Sequence, residues 1–168
     1  QTKLKVDTQA FMYGRVVNKH ARHNLCFGEE SQSPDLPNKK GRVVGYDEVP
    51  VLSALRSQLP HLFGDKAKGL VAEGNYYYDP SKCGIGFHGD GERKKVIAVR
   101  LGCSIPLHYQ WFQDGKVVGK RIKLMLGHGD MYCMSEKATG NDWKKKKIFT
   151  LRHAAGCDKF LMINGSLG

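Results

Sequence analysis

The part of the chain that most limits its fold runs from residue 69 onward, where short apolar segments alternate with turn-forming residues. Each segment is rich in β-branched or aromatic residues, and clusters of Gly, Asp, Pro and Ser separate the segments, which predicts short strands. Evenly spaced short strands favour a sandwich, a barrel or a jelly roll. The sequence therefore predicts an α+β fold that is mostly β. The segments are GLVAEGNYYYD, KVIAVRLG, PLHYQWF, KVVGKRIKLML, GDMYCMS, IFTLRH and KFLMIN.

The first 68 residues carry different signals. Residues 10–28 predict strand, turn and loop, and the polar stretch 29–41 predicts an exposed loop. Within residues 51–59, VLSALRSQL, apolar side chains recur at helical spacing and predict a helix. Asp47 is placed to cap the start of this helix, and Pro60 marks its end.

Length and cysteine content restrict the class of protein. The chain has 168 residues, enough for one domain with a real core. It contains no apolar run long enough to span a bilayer, so we expect no membrane association. The five cysteines are odd in number and form no CxxC pair, which argues against a disulfide scaffold and against a cysteine zinc site. We therefore expect a reducing, intracellular compartment, either nucleus or cytoplasm.

The formal net charge of +11 points to a partner. A folded core does not require such an excess of Lys and Arg, and a polyanion, most commonly nucleic acid, is the partner that it favours. The alternative is a basic, solvated surface with no specific partner.

The octapeptide GFHGDGER, residues 86–93, places His88 and Asp90 one residue apart. In an extended strand, residues two apart point to the same face, so an imidazole and a carboxylate there can converge on one ion. Glycines on both sides remove side-chain bulk and allow close approach. The alternative is a Gly-rich hairpin with a solvated His and Asp.

A third ligand would complete a metal site. Two His and one carboxylate on three positions of an octahedron form the facial triad of non-haem iron(II) oxygenases, which leaves the other positions open. His128 lies in GHGD, which predicts a tight turn, and His108 lies inside an aromatic strand, where it equally fits a core histidine. We favour His153, near the end of a late strand, because a jelly roll can bring such a strand to face an early one.

The stretch GNYYYDPSKCGIGFHGDGER, together with KVIAVRLG, GHGDMYCMS and His153, resembles the AlkB-like Fe(II)/2-oxoglutarate dioxygenases, which are nucleic-acid dealkylases. The resemblance runs from about Gly69 to His153 and more weakly back to Arg15. It implies a double-stranded β-helix, or jelly roll, with an N-terminal helix and lid segment. The chain would then be a single dioxygenase domain, residues 1–168, with a lid and helix extension over 1–68 and a jelly-roll core over 69–168.

The resemblance also implies a cofactor and a co-substrate. His88, Asp90 and His153 would be the metal ligands and catalytic centre for Fe(II), and Asn75 and Tyr77 would contact 2-oxoglutarate. The family clamps 2-oxoglutarate with two Arg on its last strands, but no Arg follows His153 here, so either the chain is truncated or another cation replaces them. Arg100 is the first choice, since it shares a strand face with Val96 and Ala98, and Lys159 is the second. The alternative for Arg100 is an ordinary exposed strand residue.

The implied reaction is oxidative demethylation or hydroxylation of a methylated base in DNA or RNA, carried out by a monomer. Seven residues are candidates for substrate binding, because the resemblance or their charge and position suggest contacts to phosphates or to the base. They are Lys19, Arg22, His23, Glu92, Lys94, Lys144 and Lys145.

Two other functions remain open from the sequence. A 2-oxoglutarate-dependent hydroxylase of a protein side chain or small molecule uses the same triad and differs only in the rim of the site. A non-catalytic, basic nucleic-acid-binding β domain would leave His88 and Asp90 as loop residues. Stoichiometric uptake of Fe(II) separates this last class from the two enzymes.

Overall fold

The computed structural model describes residues 3–163 and divides the chain into two compact units, Gln1–Tyr78 and Asp79–Gly168. Each unit has its own hydrophobic cluster. Strands hold 38% of the residues and helices 17%, which confirms a mostly β fold with a helical contribution. The units divide at residue 78, whereas the sequence placed the border of extension and core at 68. That the chain forms one dioxygenase domain stays a prediction.

The first unit contains five strands and one long helix. Strands β1 and β2 form a hairpin whose two-residue turn, Tyr13 and Gly14, has positive φ at both positions, as a type I′ turn requires. Strand β3 pairs with β4 in parallel and with β5 antiparallel. The elements are β1 (Gln9–Met12), β2 (Arg15–Asn18), β3 (His23–Gly28), β4 (Val43–Gly45), α1 (Pro50–Phe63) and β5 (Glu73–Tyr76).

The predicted helix is present, but both of its predicted ends are wrong. Helix α1 begins at Pro50, whose fixed φ suits the first helical position, so Asp47 is not the cap and lies in the preceding 3₁₀ turn. The helix continues through Pro60 to Phe63. It stops at Gly64, whose positive φ turns the chain and whose N–H bonds to the Pro60 carbonyl at 2.9 Å. The missing amide of Pro60 thus costs one bond near the end without ending the helix.

The second unit contains six strands and two short helices. Five of these strands, β7 to β11, overlap segments that were predicted as strands, whereas β6 lies in the Gly-rich stretch before His88 and Asp90, outside those segments. The segment KFLMIN was predicted as a strand, and this is wrong for its described part. The chain turns at Gly156, where φ is +110°, and residues 158–161 then form a helical turn; Asn164 lies outside the described residues. The elements are β6 (Gly84–His88), β7 (Val96–Val99), β8 (Leu107–Gln113), β9 (Lys116–Leu124), β10 (Met131–Met134), α2 (Glu136–Thr139), β11 (Thr150–Gly156) and α3 (Asp158–Leu161).

The strands of the second unit pair as a nested set, and every pair is antiparallel. Strand β8 pairs with β9, β7 pairs with β10, and β6 pairs with β11. A further pairing of β11 with β8 joins the innermost and outermost pairs into one sheet of order β6-β11-β8-β9. The middle pair, β7 and β10, forms a separate two-stranded sheet.

The two sheets of this unit share a core. Leu107, Tyr109 and Leu151 of the four-stranded sheet pack with Met134 of the two-stranded sheet. We call the side of the four-stranded sheet that carries these residues the inner face. Because side chains alternate along a strand, the neighbouring residues of β8, including His108 and Phe112, lie on the opposite side, the outer face. Among the described residues, no helix combines the length and hydropathy needed to cross a bilayer.

Candidate metal centre

Three predicted ligands come together on the inner face of the second unit. His88 is the last residue of β6 and lies directly opposite His153 of β11, so both side chains leave the sheet on the same face. Asp90 is in the turn after β6, not in the strand, yet its carboxylate reaches both rings. The Nε2 atoms of His88 and His153 are each 3.6 Å from an Asp90 carboxylate oxygen. All three ligand atoms lie within 4.8 Å of one another.

This cluster can hold a metal ion. Two imidazole nitrogens and one carboxylate form a small, convergent donor set suited to a divalent transition metal. The side chains of His153 and Asp90 are only 9% and 15% exposed, while that of His88 is 26% exposed. The cluster is therefore partly desolvated, and its open edge is on the side of His88. A Gly-rich hairpin with a solvated His and Asp does not describe these side chains.

The ring of His88 is oriented by its own backbone. Its Nδ1 lies 2.8 Å from the Gly86 carbonyl oxygen, which can only accept, so Nδ1 carries the proton. The Nε2 lone pair then faces Asp90 and His153. A metal-bound His commonly donates its second N–H to a carbonyl in this way, which fixes the ring for coordination.

His153 is held as a neutral ring. Burial, together with the nearby His88, lowers the pKa of His153 to about 4, and Asp90 only partly offsets these two effects. Its Nδ1 is buried and makes no well-formed hydrogen bond among the described residues, although the Ala138 backbone lies close enough to favour the protonated ring slightly. The neutral ring is the form that binds metals.

The end of α2 and the segment that follows it clamp the turn that carries Asp90. The Asp90 amide donates to the Thr139 carbonyl at 2.8 Å, and Asn141 donates from its side chain to the Gly91 carbonyl at 2.8 Å. A Cβ on Gly89 would overlap the Gly140 carbonyl and lie 2.5 Å from the Cβ of Trp143. The position between the two ligands must therefore be glycine, because the backbones meet there.

Arg93 contributes a second support that sequence reasoning missed. Its Nη1 is 3.8 Å from the Asp90 carboxylate, and its Nε is 3.6 Å from Glu92. Arg93 thus holds the Asp90 side chain from outside the metal cluster. The i,i+3 spacing of Asp90 and Arg93 in the DGER sequence was a usable signal for this pair.

The other histidines considered as ligands lie elsewhere. His108 is 6% exposed on the outer face, and both of its ring nitrogens are buried with no hydrogen-bond partner in residues 3–163. His128 is exposed in a turn and accepts a hydrogen bond from the Gly102 amide at 3.0 Å.

The two cations predicted for 2-oxoglutarate differ in setting. Arg100 directly follows β7 on the side of Val96 and Ala98, and its guanidinium lies 5.8 Å from the ring of Tyr132. The Arg100 Nε is buried without a partner in the described part of the chain, so Arg100 is not an ordinary exposed strand residue. Lys159 is exposed on α3, and its ammonium lies 5.0 Å from the ring of Phe160.

Several predicted residues meet in the first unit. The side-chain Oδ1 of Asn75 accepts from Arg22 Nε at 2.9 Å and from the side-chain Nδ2 of Asn24 at 2.7 Å. Lys19 donates to the side chain of Asn24 at 3.1 Å. The ring of His23 stacks on that of Tyr78, with centroids 4.4 Å apart. Tyr77 follows β5 directly in the same unit. The co-substrate and substrate roles of these residues stay predictions.

The remaining predicted substrate residues belong to the second unit. Glu92 and Lys94 are exposed in the segment between β6 and β7, next to the metal cluster in sequence. Lys144 and Lys145 line a cleft beside Trp143 and Arg152. Trp143 was not predicted to matter for the cluster, and only its contact with Gly89 reveals that it does.

Comparison with known proteins gives one relative of note. The chain is 56% identical over 158 residues, or 94% of its length, to an uncharacterized protein of Acanthamoeba polyphaga mimivirus. The chain spans 62% of the length of that viral protein. No protein-family model matches the chain.

Proposed function

We propose that the chain is an Fe(II)/2-oxoglutarate-dependent dioxygenase of the AlkB-like type, with its metal centre in the second unit. One observation carries the proposal. The pairing of β6 with β11 sets His88 opposite His153, and both rings lie 3.6 Å from the carboxylate of Asp90. Two His and one carboxylate converging from one side are the donor set of non-haem iron(II) oxygenases.

The pairing of the strands supports a jelly roll as the fold of the second unit. A jelly roll is two packed antiparallel sheets built from Greek keys, and a long hairpin wrapped across two sheets produces nested strand pairs. The pairs β8·β9, β7·β10 and β6·β11 are nested in this way and alternate between the two sheets. The metal ligands then come from the outermost pair.

The residues around the cluster fit a bound Fe(II). The neutral ring of His153 and the oriented ring of His88 offer nitrogen lone pairs, and Asp90 supplies the negative charge. When bound, Fe(II) with 2-oxoglutarate and dioxygen supplies the oxidation of a C–H bond. The protein orients the ligands, holds Asp90 through Arg93, and keeps water from the buried side of His153.

Arg100 is the proposed partner of the distal carboxylate of 2-oxoglutarate. Its guanidinium has an unused Nε–H, and a carboxylate is the group that a buried guanidinium binds best. Burial raises the pKa of the neighbouring Tyr132, so its hydroxyl stays protonated and can donate to the same carboxylate. Lys159 is a weaker candidate because its exposed ammonium keeps its solvation.

The proposed substrate is a methylated base in nucleic acid. The net charge of +11 suits a polyanion, and Lys and Arg contacts to phosphates supply most non-specific affinity for nucleic acids. A duplex base cannot reach a centre buried on the inner face of a sheet, so it must be flipped or already single-stranded. Lys19, Arg22 and Lys94 are the proposed phosphate contacts. Hydroxylation of a protein side chain or a small molecule is the second candidate for the same centre.

The test measures Fe(II) binding first and turnover second. We expect one Fe(II) per chain, and succinate formation from 2-oxoglutarate that rises with a methylated oligonucleotide. Succinate that rises only with peptides would keep the dioxygenase and replace the substrate. A protein that takes up no Fe(II), yet binds oligonucleotide, would overturn the enzyme and favour a binding domain.

A further inference from the structure

A second possible site lies on the other side of the four-stranded sheet. A cleft of about 240 Å³ is enclosed by the β8–β9 turn, by the segment before β11 and by the start of β11. Thr150 and Arg152 of β11 line it, and they alternate along the strand with Leu151 and His153 of the inner face. The cleft therefore opens on the face of the sheet opposite the metal cluster, although Trp143 lines the cleft and also contacts Gly89 between two of the candidate ligands.

The cleft is strongly cationic. Lys144, Lys145, Lys146 and Arg152 line it, against a single carboxylate, that of Asp114, which leaves a net charge of +3. The three lysines are exposed, so their ammonium groups can move toward a ligand, while their backbone is fixed near the turn by the Asp114 amide, which donates to the Lys146 carbonyl at 2.8 Å. Such a lining attracts anions and repels cations.

Arg152 is the fixed part of this lining. Its guanidinium carbon lies 4.0 Å from the ring centre of Phe112 and 5.3 Å from that of Trp143, so two aromatic rings lie beside the guanidinium group. Its Nε is buried and has no hydrogen-bond partner within residues 3–163. A guanidinium group stacked on rings can still donate hydrogen bonds to partners that lie in its own plane. In Arg152 the Nε–H makes no such bond among the described residues.

Arg152 also belongs to a longer stack. Phe112 lies 6.4 Å from Phe87, and the guanidinium of Arg121 lies 4.9 Å from the Phe87 ring. Cations and rings thus form one continuous series across the outer face from Arg121 to Trp143. Each contact restrains its neighbours, so Arg152 is held in place before any ligand arrives, which lowers the entropy cost of binding.

We propose that this cleft binds a phosphate-type oxyanion. The in-plane N–H groups of Arg152 would donate to the anion, and the mobile ammonium groups of Lys144, Lys145 and Lys146 would neutralise it. The phosphoryl group belongs either to a free phosphorylated molecule or to a nucleic-acid backbone, and these share the same recognition chemistry.

The test is equilibrium dialysis of the full chain against labelled inorganic phosphate, with chloride holding the ionic strength constant. We expect saturable binding of one phosphate per chain. Replacing Lys144, Lys145 and Lys146 together with Gln should weaken binding by about tenfold or more, as expected when contacts to a charged group are lost. These side chains are exposed, so the variant keeps its fold. Arg152→Gln should have a similar effect, and Arg152→Lys should not restore binding, since an ammonium lacks the planar fork.

The matched control is the pair Lys66→Gln and Lys68→Gln, two exposed lysines of the first unit. This control should bind phosphate as the wild type does. Binding that is absent, or that is equal in the wild type and in the triple lysine variant, would overturn the proposal. A labelled oligothymidylate that competes with phosphate would assign the cleft to a nucleic-acid backbone, and the absence of competition would assign it to a free phosphorylated molecule. No metal or turnover enters this test, so its result is independent of the dioxygenase proposal.

Discussion

The two faces of the four-stranded sheet in the second unit have opposite chemistry although the same strands supply both. On the inner face, β6 and β11 contribute His88 and His153, which with Asp90 form a cluster that could hold a metal ion. On the outer face, the adjacent residues Phe87 and Arg152 join a stack of rings and guanidinium groups. A step of one residue along either strand thus leads from the candidate metal cluster to the stack of rings and guanidinium groups.

This difference shows how much depends on strand register. Side chains alternate between faces, so a slip of one residue between β6 and β11 would move Phe87 into the metal cluster and His88 among the guanidinium groups. The clamp on the Asp90 turn and the shared core of Leu107 and Leu151 work against such a slip. The predictions below test whether the two faces are as independent as this comparison requires.

Loss of a metal ligand should have the largest effect. His88→Ala, Asp90→Ala and His153→Ala should each weaken metal binding by more than about 100-fold, because changes to groups that merely support a ligand already cost up to that much. The fold should remain, since none of the three side chains belongs to the hydrophobic cluster of this unit. His108→Leu on the outer face is the matched control and should bind Mn(II) or Fe(II) as the wild type does. Calorimetric titration measures metal binding, and circular dichroism measures whether the fold is retained. If His108 were required for metal binding, the assignment of inner and outer face would be wrong.

Gly89→Ala should have the next largest effect. Its new Cβ would collide with the Gly140 carbonyl, which displaces Asp90, so we expect metal affinity to fall by about 10–100-fold. Overpacking of this kind also costs about 1–3 kcal/mol of unfolding free energy. Gly91→Ala is the control, because its Cβ would meet no atom closer than 3.9 Å. Equal behaviour of the two variants in metal titration and urea unfolding would contradict the clamp.

Replacement of Arg100 tests the proposed binding of the distal carboxylate of 2-oxoglutarate near the inner face. Arg100→Ala should weaken 2-oxoglutarate binding by about 1.5–3 kcal/mol, the value of a charge-assisted contact, and Lys159→Ala should have little effect. The dissociation constant of 2-oxoglutarate from the metal-loaded protein measures this. Small and equal effects in both variants would show that the co-substrate clamp lies outside these two residues.

His108 should make the protein sensitive to acid. Burial lowers the pKa of His108, and the cations Arg121 and Lys123 of β9 lower it further against the small opposing effect of Asp158 on α3. The unfolded chain therefore binds the proton more readily, so this histidine removes stability as the pH falls below 6.5. His108→Leu should lessen the loss of melting temperature between pH 7 and pH 5, although His153 contributes in the same direction and remains. An unchanged pH profile would show that His108 is solvated when the protein is folded.

Removal of one cation from the stack on the outer face should have the smallest effect among these variants. Arg121→Gln removes the cation above Phe87 and should cost about 0.5–1 kcal/mol of unfolding free energy, the usual worth of an exposed cation–π contact. Lys120→Gln, which removes a neighbouring exposed charge of β9, should be neutral. Metal affinity should stay constant in both variants, and a fall in Arg121→Gln would show that the two faces are coupled.

The strands and the ligand pair were predictable from sequence because the relevant signals are local. Alternation, β-branched residues and turn-forming residues mark β7 to β10 within a few positions, and the spacing of His88 and Asp90 is visible at once. The end of α1 was not predictable from Pro60 alone, since the tolerance of a late proline depends on the stop at Gly64. The helical turn after Gly156 was missed because KFLMIN is apolar enough for either structure.

The supporting residues of the site could not be read from the sequence for a physical reason. Thr139, Asn141 and Trp143 act on the Asp90 turn across about fifty positions of sequence, and nothing in their own segment shows what they meet. The stack on the outer face was missed for the same reason, since Phe87 and Arg152 become part of one stack only when β6 lies beside β11. The choice of His153 over His108 agrees with the grouping of His153 with His88 and Asp90, because it used strand position as well as residue type.

The nested pairing of the strands has a consequence for how the protein folds. His88 and His153 are 65 positions apart and belong to the outermost pair, so we expect the loop that separates them to close after the inner pairs have formed. The pair that closes last is also the natural first place of opening, because fewer contacts lie beyond it. A metal ion that bridges β6 and β11 would bind only when these two strands are paired. It would therefore stabilise the paired state, and more so as a larger fraction of the protein carries the ion.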